Sequence, residues 1–498
     1  MSKRTTSFDL ATILISSEAA QPLHRQLYDS LRAAVLNGQL SSGSRLPSTR
    51  DLCRALSVSR NTVVTAFDQL IAEGYLESRV GDGTYVSQAV PDAQLSVRSR
   101  QEPTLTTPKT SKPHFSQRFH AIAQSPIGFT GDEGETRPFR TGTPGLNEFP
   151  VRPWARLIAH HWRRASSKLL GYGSEIGYLP LRQAIADYLG AARGARCTPE
   201  QVIITSGSQD ALNLATLLML NPGDAVWMEE PGYRGARAAF HTAGANVIPV
   251  PVDREGLNIE AGIARQPNAR MVYVTPSHQY PMGVTMSLTR RLALIDWAKR
   301  AGAWIVEDDY DSEYRYGGRP LSSLQGLDDA GRVLYIGTFS KVLFPALRLG
   351  YLVVPEPLVD GFRAVLRTMQ HHLPGVEQAV LTDFIVEGHF ARHIRQMRLL
   401  YAERQQVLLA SVASELGDKL SIGMTEAGLH VTGLLRQGVD DRTVSTAAYR
   451  LGIEAPALST YCLGTFERGG LVLGYAGLSP AKIKDGVHIL HQAIDSVM

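Results

Sequence analysis

The chain is poor in cysteine. Cys53, Cys197 and Cys462 are three in 498 residues, an odd number with no CxxC spacing. That excludes a disulfide scaffold and a thiolate metal site, and it suits a reducing compartment. Long apolar runs are lacking as well. Stretches such as Leu214 to Leu220 fall far short of the roughly 20 residues that span a bilayer. The first twenty residues hold no apolar core followed by a cleavage site. The expectation is a cytoplasmic protein with no membrane segment. Nor does one sign of charge dominate: 51 Lys+Arg against 47 Asp+Glu give a net +4. That permits nucleic-acid binding without demanding it. What is present is an ordinary globular composition, 44% hydrophobic and 20% charged, in a chain long enough for two or three domains.

The first ninety residues read as helices followed by a hairpin. Leu23, Leu27, Leu31 and Val35 recur at helical spacing between Pro22 and Asn37, and Gly38 stops the run. Ser48-Thr49-Arg50-Asp51 fits a capping box, so a second helix starts there and ends near Ser57. Ser59 caps a third helix that runs to about Glu73, with Gly74 as its stop. Two short helices with a turn between them form a helix-turn-helix. Residues 75–79 and 84–86 flank Val80-Gly81-Asp82-Gly83, the tip of a β-wing. Arg45, Arg50, Arg54 and Arg60 face a single acid, Asp51. Helix N-termini with arginines and hydroxyls suit phosphate oxygens. The third helix would present Arg60, Asn61 and Thr62, with the Ser59 cap, to base edges in a major groove. Charge alone is weak evidence, since residues 22–88 carry seven arginines and no lysine against six acids.

Residues 89–136 are rich in Ser, Thr, Pro and Gln and lose apolar periodicity, the composition of a flexible tether. Beyond it, strand-like runs alternate with helical ones. The strands are Gln201–Thr205, Asp224–Met228, Val247–Val250, Met271–Val274, Trp304–Val306, Val333–Ile336 and Leu349–Val354, and a helix is expected over Asp210–Met219. The pattern predicts an α/β sheet, mostly parallel, with its site beyond the strand carboxyl ends. Five polar clusters stand there: SGSQ from Ser206, EEPGY from Glu229, TPSHQYP from Thr275, EDDYD from Glu307 and GTFSK from Gly337. Their residue types suit one cofactor. Lys341 could form a Schiff base, and Asp308 could keep a pyridine nitrogen protonated. Ser206 to Gln209, opening a helix, suit a phosphate, and Thr338 with Arg348 would complete its cradle. That combination is pyridoxal phosphate.

The N-terminal motifs, LY-x-x-LR with LPSTR, LSVSRNTV and EGYLESRVGDGTYV, resemble the GntR-type winged helix. Residues 137–498 look like a fold-type I aminotransferase, with a large subdomain over about 165–370 and a small one over about 371–498. Together with a head at 20–88 and a linker at 89–136, the chain resembles the MocR/GabR family of transcriptional regulators. That resemblance implies double-stranded operator DNA as a partner. Arg50, Arg60 and Thr62 would be on phosphates and base edges, and Gly83 near the minor groove. It implies the Schiff base on Lys341, Asp308 under the ring nitrogen, Tyr310 on the ring oxygen and Tyr233 flanking the ring. Ser208, Gln209, Thr338, Ser340 and Arg348 would hold the phosphate. Tyr172 would reach the site of a second protomer in a homodimer, and His278 and Tyr280 would border the rim. Two departures stand out. Tyr280-Pro281-Met282-Gly283 replaces the Asn-Pro-x-Gly of the enzymes, and Leu471–Tyr475 lacks their carboxylate-binding arginine, with only Arg468 nearby. The expectation is a sensor of an amine or amino-acid effector, or of the cofactor itself, with no metal. The alternative is a working aminotransferase with a secondary DNA-binding module.

Overall fold

The computed structural model describes residue 15, residues 21–79, 81–88, 115, 137–317, 321–423, 425–464 and 466–498. Two compact units divide between Pro113 and His114. The expected tether over 89–136 lies outside the described residues except for Phe115.

In the first unit, α1 (Leu23–Leu36) buries Leu27, Leu31 and Val35 on one stripe. Ser48 opens α2 (Thr49–Leu56): its Oγ accepts from the Asp51 amide at 3.2 Å and donates to Asp51 Oδ2 at 2.6 Å. The Ser59 hydroxyl caps α3 (Arg60–Ala72) in the same way, accepting from the Thr62 amide at 3.1 Å. Such caps satisfy amides that the first turn leaves without partners. The strands β1 (Leu76–Arg79) and β2 (Gly83–Val86) pair antiparallel, with Leu76 opposite Val86 and Arg79 opposite Gly83. Leu27, Leu31, Leu52, Val63, Phe67 and Leu70 meet in one small core.

The second unit is built on an eight-stranded sheet. Its strands in chain order are β3 (Val202–Thr205), β4 (Ala225–Glu230), β5 (Asn246–Asp253), β6 (Gly256–Leu257), β7 (Met271–Val274), β8 (Trp304–Asp309), β9 (Val333–Thr338) and β10 (Gly350–Val353). Their spatial order is β3-β10-β9-β8-β7-β4-β5-β6. From β5 through β4, β7 and β8 to β9 the strands run parallel, while β10 runs antiparallel to both β9 and β3. Every residue of β3, β7, β9 and β10 is buried. Helices cover both faces, so the strands read as continuous apolar runs rather than alternating ones. A second, antiparallel sheet joins β11 (Leu420–Ile422), β12 (His430–Leu435) and β13 (Gly470–Gly474). The long helix His389–Glu415 packs against Pro480–Asp495 beside it.

One expected boundary changes the chemistry. β8 continues three residues past Val306, so Glu307, Asp308 and Asp309 are strand residues and not a turn. Successive side chains then point to opposite faces. Glu307 accepts from the Leu324 and Gln325 amides, Asp309 meets Arg193 and Tyr335, and Asp308 alone of the three meets Tyr273.

Gly337 in β9 has no room for a side chain: a Cβ would lie 2.2 Å from the Tyr351 ring on β10. Gly337→Ala should destabilise the second unit by roughly 1–3 kcal/mol through overpacking. The five tryptophans, Trp154, Trp162, Trp227, Trp297 and Trp304, all lie in that unit. A lower urea midpoint by tryptophan fluorescence checks it.

Candidate functional site

A cleft opens at the carboxyl ends of β7, β8 and β9. Thr141, Gly142, Ser208, Tyr233, Tyr273, Tyr280, Asp308, Tyr310, Lys341 and His430 line it. Lys341 follows β9, and its Nζ donates to the Gly142 carbonyl at 2.9 Å. Gly142 has φ +72°, and a Cβ there would stand 2.6 Å from that Nζ, so the close approach needs glycine. Burial lowers the Lys341 pKa, against the pull of Asp311 and Asp308. A lysine in this setting is a better nucleophile than one in water.

Asp308 is buried, and its Oδ2 accepts from the Tyr273 hydroxyl at 2.8 Å. Burial first, then repulsion from Asp309 and Asp311, holds its carboxyl up at about 7, although Tyr273 and Lys341 act the other way. Its Oδ1 is buried with no hydrogen-bond partner among the described residues. An unmet buried acceptor is costly. A cationic ring nitrogen is the partner that would satisfy it and restore the carboxylate. Tyr310 donates to the His278 carbonyl at 2.9 Å and lies 2.9 Å from His278 Nδ1, which in turn meets Asp311 at 3.0 Å. His278 is therefore a buried prop behind Tyr310 and does not line the cleft.

On the other side stands the helix α4 (Ser208–Met219), which begins two residues earlier than expected. Ser208 and Gln209 thus belong to its first turn, where free amides and the dipole favour an anion. The turn is held by Asp210, whose Oδ2 accepts from the Ser206 amide at 2.9 Å and lies 3.2 Å from His371. Gln209 is engaged with the Gly235 carbonyl at 3.0 Å. Because β10 is antiparallel, its start lies beside the ends of β3 and β9: Gly350 pairs with Thr205 and Thr338. That reversal brings Arg348 to Gly207, where a Cβ would lie 4.0 Å from its Nη1. Arg348 is exposed and takes φ +51°, left-handed backbone that a non-glycine residue rarely adopts. Thr338 Oγ1 accepts from the Ser340 amide at 3.2 Å.

Tyr172 is 97% exposed and lines a separate groove with Arg164 and Lys168. Arg468 does not turn into the cleft. It donates to the Leu434 and Leu435 carbonyls and to Ser421 Oγ at the edge of the small sheet. Sequence reasoning missed Thr141, Gly142, Tyr273, Leu429 and His430. Tyr273 is hidden inside a strand that otherwise reads as core, and His430 lies in β12, some ninety residues past Lys341. Burial above all holds the His430 imidazole down at about 3, so it is neutral.

In the first unit, Arg45, Arg50, Ser59, Arg60 and Asn61 are exposed, and Thr62 is partly buried with its hydroxyl 2.8 Å from Ser59 Oγ. Gly83 has φ +124°, and a Cβ there would press on the Arg45 guanidinium at 2.9 Å. The wing and Arg45 are thereby one surface.

Residues 143–484 match the family model of aminotransferase class I and II, and residues 23–86 that of the bacterial regulatory proteins of the gntR family. The chain is 43% identical over 481 residues to the probable rhizopine catabolism regulatory protein MocR of Rhizobium meliloti, covering 97% of this chain and 95% of that one. The pyridoxine biosynthesis transcriptional regulator PdxR of Corynebacterium glutamicum is 33% identical, covering 94% of this chain and 95% of its own. Among solved structures, the α-aminoadipate aminotransferase LysN of Thermus thermophilus, complexed with N-(5'-phosphopyridoxyl)-L-leucine, is 27% identical with a TM-score of 0.68. The match covers 77% of this chain and 95% of that one.

The buried Asp308 makes a pH prediction. Its folded pKa of about 7 exceeds the ordinary value of 3.8, so the stabilisation is complete below about pH 4 and is lost as pH rises through 7. Asp308→Asn should flatten that loss in ligand-free protein by up to roughly 4 kcal/mol, at ~1.4 kcal/mol per unit. Urea midpoints between pH 4 and 8 check it.

Proposed function

The chain belongs to the MocR/GabR family of transcriptional regulators, and from that premise we propose that it binds operator DNA through its first unit and senses a small amine through its second. The observation that carries the sensing half is the orphaned Asp308 Oδ1 in the cleft that also holds Lys341. Both suit pyridoxal phosphate. Lys341 would hold its aldehyde carbon, Asp308 its ring nitrogen and Tyr310 its ring oxygen, with Tyr233 beside the ring. The first-turn amides of α4, with Ser208, Gln209, Thr338, Ser340 and Arg348, would hold its phosphate. When bound, the cofactor supplies a carbonyl carbon that exchanges reversibly between amines and a ring that withdraws electrons. The protein's own part is to orient and to keep charge in place. Tyr273 holds Asp308, His278 and Asp311 hold Tyr310, and Gly142 holds the Lys341 amine near the cleft floor.

A second protomer is part of this reading. Tyr172, Leu170 and Trp162 are more than half exposed, and a homodimer would receive them. An amine effector that displaces Lys341 from its partner would then favour one dimer geometry over another, and differential affinity for the two is all that regulation requires. Sensing is preferred over turnover because β13 carries no arginine and Arg468 is tied to the small sheet's edge.

Two measurements test the two halves. Pyridoxal phosphate added to the full chain should give a visible absorbance band and, after borohydride, a stable adduct. Both should be absent in Lys341→Ala; persistence of the adduct would sink the assignment. Arg60→Ala should weaken specific operator binding by roughly 1–3 kcal/mol at physiological salt, read by fluorescence anisotropy.

A further inference from the structure

The helix Val359–Thr368 ends in a tight reversal. Gln370 takes φ +51°, its amide donates to the Arg367 carbonyl at 3.1 Å, and the His371 amide donates to the Leu366 carbonyl at 3.0 Å. Such a pair of bonds around one left-handed residue closes a helix and fixes the residue that follows. The His371 side chain is only 14% exposed, and its two ring nitrogens meet two different elements. Nε2 lies 3.2 Å from Asp210 Oδ2, in the first turn of α4, and Nδ1 lies 3.4 Å from the Glu175 carbonyl. A carboxylate and a carbonyl only accept, so both nitrogens donate and the ring is a cation. The charges around it agree. The Asp210 hydrogen bond raises the His371 pKa, against burial. Burial pushes the Asp210 carboxyl up, but the hydrogen bonds from His371 and Ser206 outweigh it and hold the carboxyl below its usual range. The Glu175 carboxylate is taken up by Arg363 and Arg367, each at 3.3 Å. His372, next along the chain, lies beside Tyr172, with ring centroids 6.0 Å apart.

Asp210 also shapes the turn before α4, because its Oδ2 accepts from the Ser206 amide at 2.9 Å. A carboxylate at a helix start steadies the helix. Here it also sets a negative charge in the cup that the start of α4 forms with Arg348, where a phosphate dianion would lie. Uncompensated, that charge would repel the ligand. We propose that His371 is a positioning residue for this cup: its imidazolium cancels the Asp210 charge, so that Asp210 shapes the turn without repelling the phosphate group. The inference rests on the reading of the cup as the cofactor's phosphate site, and it gives that site an upper pH limit. A histidine whose pKa is raised above 6.5 keeps its proton below that value and gives it up as pH rises through the raised one. Asp210 is then left bare beside the dianion.

The test compares pyridoxal phosphate with pyridoxal, each titrated into the full-length protein by absorbance at pH 7 and at pH 9. Lys341 and the aldehyde are common to both ligands. The phosphate is largely a dianion over this range, its second pKa being about 6. The ratio of the two affinities therefore reports the cup. It should fall roughly three- to tenfold from the lower pH to the higher, as one partly buried charge at a helix terminus allows. His371→Gln, which can still donate to Asp210, should show the low ratio at both pH values. Asp210→Asn keeps an acceptor for the Ser206 amide; added to His371→Gln, it should bring the ratio back up, which a loss of packing would not do. His372→Gln should keep the native slope. A native ratio that stays level overturns the proposal without any variant. So does a double variant no better than His371→Gln, or a slope that vanishes in His372→Gln. Equal affinity for the two ligands at both pH values overturns the phosphate reading of the cup, and the proposal with it.

Discussion

Lys341 is pulled two ways. Burial favours its neutral form, while the carboxylates of Asp311 and Asp308 favour its charged one. Charges so close and so dry cost several kcal/mol each unless neighbours hold them, and the neighbours here come from distant parts of the chain. Gly142 supplies a carbonyl, Tyr273 a hydroxyl, and His278 a ring nitrogen for Asp311. The sheet is the device that assembles them. β7, β8 and β9 lie side by side in parallel, so the ends that carry Thr275, Asp308 and Lys341 share one rim. The frame is costly to leave unfilled, since Asp308 Oδ1 has no partner among the described residues.

Much of this is legible in the sequence because it depends on local pattern. Strands buried on both faces announce themselves as short apolar runs, and Met271–Val274 has the expected bounds. Glycine, serine and aspartate at the caps mark the helices of the first unit, where Ser48 and Ser59 do what their types suggest. The motif residues Lys341, Asp308, Tyr233, Tyr280 and Ser208 do gather at one cleft. What is not legible depends on contacts across the fold. Tyr273 has the pattern of a core residue and differs only in what its hydroxyl meets. Thr141 and Gly142 arrive from before the helix Val151–Arg163. The strand run Trp304–Val306 ends early in the sequence pattern because acids are poor strand formers, yet Arg193, Tyr335 and two backbone amides make Glu307 and Asp309 tenable within β8.

The two units solve different problems with related means. In the first, hydroxyls at helix starts satisfy amides, and Arg45, Arg50 and Arg60 stand exposed. In the second, the start of α4 and Arg348 form a cup suited to a compact dianion. Each sets a guanidinium beside a helix N-terminus. They differ in enclosure, since one surface is open and the other is folded inward.

The reversal at β10 has a consequence for the order of assembly. β3 borders the sheet and pairs with no strand but β10, although some 145 residues separate the two. Until residue 353 has left the ribosome, the segment Val202–Thr205 has no strand to join, and the cup between Gly207 and Arg348 cannot close. The close approach of Gly207 and Arg348 is thus among the last features of the large sheet to form during synthesis. A cofactor able to bind there would select only chains whose sheet is already complete, and so would act as a seal on finished molecules rather than as a template for unfinished ones.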